Sequence, residues 1–174
     1  MFESISIIGR VAYGLYALET YLKKTGENLA DWDILLEKLW SFPEFEFMDD
    51  YTDFFIEHLP SAILEFETYL QGDEWEYVSE DEYAALKQLY THYENIENIE
   101  TILQLIENML SVHLYTTIKI PAKASLDIMN MELYPFLQRI LKQVPTVEPF
   151  ELYSITESDC WGEFYPKEEL LASM

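Results

Sequence analysis

Ile99, Ile102, Ile106 and Met109 recur at every third or fourth position, with Leu103 and Leu110 beside them and His113 continuing the row. That period commits the segment to a helix with one buried face, because a strand would divide the same residues between its two faces. A chain that carries such a stripe must supply other elements to cover it. A second stripe of Ile8, Val11, Leu15, Leu18 and Leu22 predicts a long opening helix stopped by Gly26. Gly14, inside it, permits close approach of a neighbouring helix.

Weaker signals extend the pattern. A helix is expected over 32–40, with Leu35, Leu36 and Leu39 inward, Asp31 and Asp33 at its positive end and Pro43 closing it. A short helix follows from Asp49, and Pro60 opens another that carries Ile63, Leu64, Phe66 and Leu70 up to Gly72. Ser79 with Glu82 three residues on matches a capping box, so a helix starts there and buries Leu86, Leu89 and Tyr93. Thr116 to Ile120 is largely β-branched and ends at Pro121, which favours an extended segment. Ser125 offers an N-cap for a helix with Leu133, Leu137, Ile140 and Leu141, which Pro135 kinks or divides. Leu152 to Ile155 reads as a short strand, and a last helical turn is expected from Pro166. Without repeats, low-complexity tracts or Gly/Ser linkers, the expectation is an all-α single domain over 1–174. It is an antiparallel bundle of about six to seven helices, with short extended segments near 116–120 and 152–155.

What the bundle displays is set by charge. Between positions 40 and 86 there are fourteen Asp and Glu and no Lys or Arg, and the whole chain has thirty-three acids against ten bases, a net charge of −23. Thirteen Tyr, ten Phe and four Trp argue against a disordered acidic tail. Direct nucleic-acid binding is excluded, since it needs clustered bases that displace counterions from phosphate, and an anionic membrane surface is disfavoured for the same reason. A single cysteine, Cys160, leaves no internal disulfide, and no signal-peptide pattern or membrane-length apolar run is present, so a soluble cytoplasmic protein is expected.

Motifs that would name a reaction are missing. Five glycines form neither phosphate-cradling loop. Asp31-Trp32-Asp33 begins like a calcium loop, but Leu36 stands where a glycine must turn and Phe42 where a glutamate must ligate. His58, His92 and His113 fall in no metal-ligand spacing, and Cys160 follows Asp159, which suppresses its thiolate. No catalytic, cofactor or metal residue is assigned. The surface is the candidate instead: Glu44, Glu46, Asp49, Asp50, Tyr51 and Asp53 in one stretch, and Asp73, Glu74, Trp75, Glu76, Tyr77, Glu80 and Asp81 in another. Carboxylates grip arginine bidentately, and Tyr51, Trp75 and Tyr77 are expected as the large anchors that dominate interface energies.

In size, acidity and Trp/Tyr content the chain resembles the immunity proteins of bacterial toxin–immunity systems, a resemblance of style that rests on no diagnostic motif. It implies an inhibitor that binds a basic toxin, a nuclease above all, at or beside its active site. Two other readings stay open: a helical adaptor whose acids serve solubility, and a carboxylate-bridged metal enzyme assembled from distant side chains.

Overall fold

In a computed structural model of the chain, which describes residues 1–72 and 75–172, the Ser6 hydroxyl accepts the Gly9 amide at 3.2 Å and opens α1 (Ile7–Thr25). Gly26, with φ +89°, closes α1 in the left-handed conformation that glycine adopts without steric cost. The chain continues through α2 (Asp33–Leu39), α3 (Met48–Glu57), α4 (Pro60–Glu65), α5 (Glu80–His92) and α6 (Ile96–Ser111). After a loop come α7 (Lys123–Ile128), a π-helical turn (Met129–Leu133) and α8 (Tyr134–Ile140) in one continuous rod, and finally α9 (Lys167–Ala172). Among the described residues there is no strand, so the protein is all-α.

α1 and α6 form the central pair. Gly14 is where they meet: a Cβ there would lie 2.6 Å from Ile106 Cγ1, inside contact distance. Ile99, Ile102, Ile106 and Met109 on α6 are all fully buried, as their spacing requires, each contributing about 1.5–3 kcal/mol through removal from water. α3 and α4 pack on one side of α6 and α7 on another, while α5 covers α4 and α2. α3 is thereby fixed along one side to the core, with its other side free to meet solvent.

The structure departs from the sequence pattern where polar side chains outbid periodicity. α4 stops at Glu65 because Phe66 turns extended and its carbonyl is taken by the Tyr83 hydroxyl at 2.7 Å and by the Lys87 ammonium. Thr68 and Gln71 then cap a separate 3-10 turn reciprocally, so Leu70, expected inward on a longer helix, is 81% exposed, and Leu64 is exposed as well. Ser125 is not an N-cap; Ala122 holds that position, and Ser125 lies in the first turn of α7. The π turn immediately precedes Pro135: the Tyr134 amide reaches back five residues to the Met129 carbonyl, which loosens the coil where a proline ring would strike a regular helix. The 116–120 segment is an irregular loop. Residues 152–155 make only a single antiparallel bridge, Ile5 with Ser154, in place of the expected strand.

Tyrosines explain much of the aromatic content. Tyr13, Tyr51, Tyr90 and Tyr153 are buried rings whose hydroxyls donate to the carbonyls of Pro145, Leu39, His58 and Tyr165 at 2.6–3.3 Å. Each fills core volume and satisfies a loop or helix-end carbonyl that helix geometry leaves free. Two buried charges join distant segments. Glu19 accepts from the Trp40 indole at 2.8 Å and pairs with Lys167 at 2.5 Å, tying α9 to α1. Arg10 is fully buried and donates to the carbonyls of Phe2, Pro121 and Ala122 and to the Ser125 hydroxyl; burial lowers its pKa to about 10.

Candidate functional site

The acid-rich stretch folds into two kinds of carboxylate. Some are structural. Glu57, at the end of α3, accepts the backbone amides of Glu76, Tyr77 and Val78 at 2.9, 2.9 and 3.1 Å and so positions the segment that leads into α5. Glu82 completes the capping box with Ser79 and pairs with Lys38 at 2.6 Å; burial pushes its carboxyl up, but the Lys38 and Ser79 hydrogen bonds outweigh that and bring it to about 2. Glu80 and Asp81 are exposed in the first turn of α5, where the helix dipole favours negative charge. Their presence needs no partner to explain it.

The others face solvent along α3. Asp50 and Asp53 are exposed and Asp49 is half-buried. Asp49 and Asp50 stand in the first turn and gain from its dipole, but Asp53 lies a turn further in and faces Asp49 four residues back, a spacing at which like charges repel. Over this row hangs Tyr115, 89% exposed, its hydroxyl donating to the Asp49 carboxylate at 2.6 Å. That bond holds the Asp49 carboxyl below its usual range and pushes the Tyr115 hydroxyl up, with Asp53 and Asp50 adding to the rise. Tyr115 has φ +56°, a left-handed backbone uncommon for a bulky residue. Phe47, 57% exposed just before α3, supplies a second uncovered ring between Glu46 and the aspartates.

Beside α3 lies a groove of about 670 Å³ lined by Asp33, Glu37 and Lys38 of α2, by Glu44, by Glu76, and by the rings of Phe45, Phe54 and Tyr77. Tyr77 packs edge-on against Phe54, with centroids 5.9 Å apart. Its hydroxyl is pushed up by burial and then by Glu76, Asp50 and Asp53, so the groove and the α3 row share one electrostatic field. Glu44, which lines the groove, and Glu46 are both exposed.

One expected anchor is corrected, and another is found packed among aromatic neighbours. Tyr51 is fully buried, its ring inward on α3 and its hydroxyl on the Leu39 carbonyl, so it belongs to the core. Trp75 is half-buried in a cluster of its own: it stacks on Tyr69 at 6.1 Å, meets Phe66 edge-on, lies 5.5 Å from Tyr83, and donates its indole N–H to the Tyr69 carbonyl at 3.0 Å. A Cβ at Gly72 would come within 2.4 Å of that nitrogen, which is why a glycine stands there. Trp75 is thus held by its neighbours, with part of its ring left on a surface groove away from the α3 row. Asp73 and Glu74 lie outside the described residues. Glu44, Asp49, Asp50, Asp53, Glu76 and Tyr77 are brought together along α3 and its groove, and Glu46 is exposed two residues before α3.

Sequence reasoning missed Tyr115, which follows α6 and lies far from the acid run, and the α2 acids Asp33 and Glu37. Phe47 sat inside the acid run, where its carboxylate neighbours were the available signal. Among the described residues no group of three or more His, Cys, Asp or Glu is arranged to hold a metal ion, and no helix is long and apolar enough to cross a membrane. No protein-family description, curated protein or solved structure matches the chain.

Proposed function

We propose that this chain is an inhibitory protein-binding module, an immunity protein that neutralises a basic toxin by laying the α3 face over its active site. A nuclease is the favoured target, because a cleft built to hold phosphates would accept a row of carboxylates in their place. In this reading the chain carries out no reaction of its own and acts in the bacterial cytoplasm.

One observation carries the proposal. Tyr115 is held in a conformation that costs about 1–3 kcal/mol, almost wholly in water, over three aspartates that repel one another. Folding alone gains little from exposing that ring or from placing Asp53 opposite Asp49. A basic partner would gain from both, since arginine pairs with carboxylates and stacks on an aromatic face.

Affinity capture from the source organism's lysate at low salt, with elution by a salt gradient, tests this. One dominant basic protein that resists moderate salt, and whose activity the chain abolishes at equimolar amounts, is expected. A spread of basic proteins released together at modest salt would remove the proposal. A second reading, the adaptor, draws on a different feature: a groove of about 510 Å³ in which Ile56, Ala62, Phe66 and Trp75 form an apolar floor beside Glu57 and Glu65, where an occupant held by the apolar side chains would bind with less dependence on salt than one held by the α3 row.

A further inference from the structure

The loop that carries Tyr115 is anchored by a histidine that the binding surface does not use. His113 lies just beyond α6 and is buried. Its Nε2 accepts the Ser125 backbone amide at 3.2 Å, and the Ser125 hydroxyl lies 3.1 Å from the same nitrogen. Ser125 is the third residue of α7, so the imidazole fills the role of an N-cap that Ala122, with no polar side chain, leaves open. An Nε2 that accepts an amide hydrogen carries no proton of its own, which fixes the neutral tautomer with hydrogen on Nδ1.

Charge around the ring reinforces that state. From α1, Arg10 donates to the Ser125 hydroxyl at 2.7 Å, placing a guanidinium on the other side of the same serine. On α7, Lys123 and Asp127 are engaged with each other at 2.6 Å. On α6, Glu107 is held by Ser111, and in the C-terminal loop buried Cys160 lies in the field of Arg10. The titratable ring therefore faces a cation and an amide hydrogen, which oppose a second proton, and the Ala122 backbone, which favours one but is outweighed. Burial first, and then Arg10, hold the His113 pKa below its ordinary 6.5.

We propose that His113 is a pH-operated latch: when Nε2 gains a proton it can no longer accept the Ser125 amide and turns to the Ser125 hydroxyl oxygen instead, the amide cap on α7 is lost, and the 113–122 loop that presents Tyr115 is loosened from Asp49. The loop is fastened at one end by this cap and at its middle by the Tyr115 hydroxyl, while Thr116 holds the His113 carbonyl at 2.9 Å. A histidine whose folded pKa is depressed contributes stability that is present above pH 6.5 and is lost as pH falls through 6.5 toward the folded value. The latch is a property of the loop and holds whichever partner meets the face.

Nitrogen-detected NMR of the wild-type protein, with amide exchange followed from about pH 7.5 to pH 5, tests it. Expected are the Nδ1–H tautomer at neutral pH and, as pH falls from 6.5 toward the point where the folded ring titrates, a loss of Ser125 amide protection of up to about tenfold per pH unit beyond that of α6 amides. In H113Q, whose side-chain carbonyl can take the amide but does not titrate, the Ser125 amide should keep a constant protection relative to α6. An Nε2–H tautomer at neutral pH, or His113 titration that leaves Ser125 exchange in step with α6, would overturn the inference. The wild-type titration decides the matter even if H113Q does not fold.

Discussion

Glu57→Gln is the most revealing change at the candidate site, because it alters one atom of a carboxylate that holds three consecutive amides. Oε1 takes Glu76 N–H and Oε2 takes those of Tyr77 and Val78. Replacing either oxygen with NH₂ removes at least one hydrogen bond and turns a donor toward a donor. Hydrogen bonds to charged groups are worth about 1.5–3 kcal/mol each, less where water competes, so about 2 kcal/mol is the expected loss. Glu57→Ala, which abandons all three amides, should lose about 3 kcal/mol. Relief of charge repulsion acts in the opposite sense by about 0.3 kcal/mol. For a chain of this length the Gln variant should melt roughly 4–8 °C lower. Urea titration with amide exchange at 76–78 is the assay, with Glu65→Gln, an exposed acid nearby, as the charge control. If E57Q stayed within about 0.5 kcal/mol of wild type, with exchange at 76–78 unchanged, Glu57 would be an ordinary surface acid and the account of how Glu76 and Tyr77 are placed would fail.

Other consequences follow from the same contacts. Gly14→Ala gains about 1 kcal/mol of helix propensity but pushes a methyl against Ile106, so a net loss of about 1–2 kcal/mol is expected in chemical denaturation; a stabilised variant would contradict the close α1–α6 approach. Tyr51→Phe strands the buried Leu39 carbonyl and should cost about 1–3 kcal/mol while leaving partner binding intact, which calorimetry and a binding assay separate. Glu82 has a folded pKa of about 2 against 4.5, so its contribution is complete above pH 4.5 and fades as pH falls toward 2. Lys38→Met should therefore destabilise the protein near pH 6 and have little effect near pH 2, as urea titrations at the two pH values would reveal.

The helical core was legible because burial leaves a period: the α1 and α6 stripes, Gly26 and the Ser79–Glu82 capping box all lie where the sequence put them. What was not legible depends on partners distant in the chain. α4 is cut short by Tyr83 and Lys87, seventeen and twenty-one residues on, and nothing local to Phe66 announces them. Ser125 reads as a cap on type alone, yet its hydroxyl is claimed by Arg10 and its amide by His113. The charge of the candidate face was plain in the sequence, but which rings stand free was not: an aromatic beside acids reads the same whether it points outward, like Phe47, or inward, like Tyr51. Tyr115 joins that face only through the path of the loop after α6.

In the proposed function the α3 face meets a basic protein through its charge. The most direct measurement is the association rate of the captured partner with wild type and with the triple variant D49K/D50K/D53K, taken across ionic strength. Opposite charges arranged to meet raise association toward about 10⁸–10⁹ M⁻¹s⁻¹ at low salt. The wild-type rate should fall steeply as salt rises, and the variant should be at least about tenfold slower at low salt. Equal rates for the two proteins, with no dependence on salt, would contradict the proposed function.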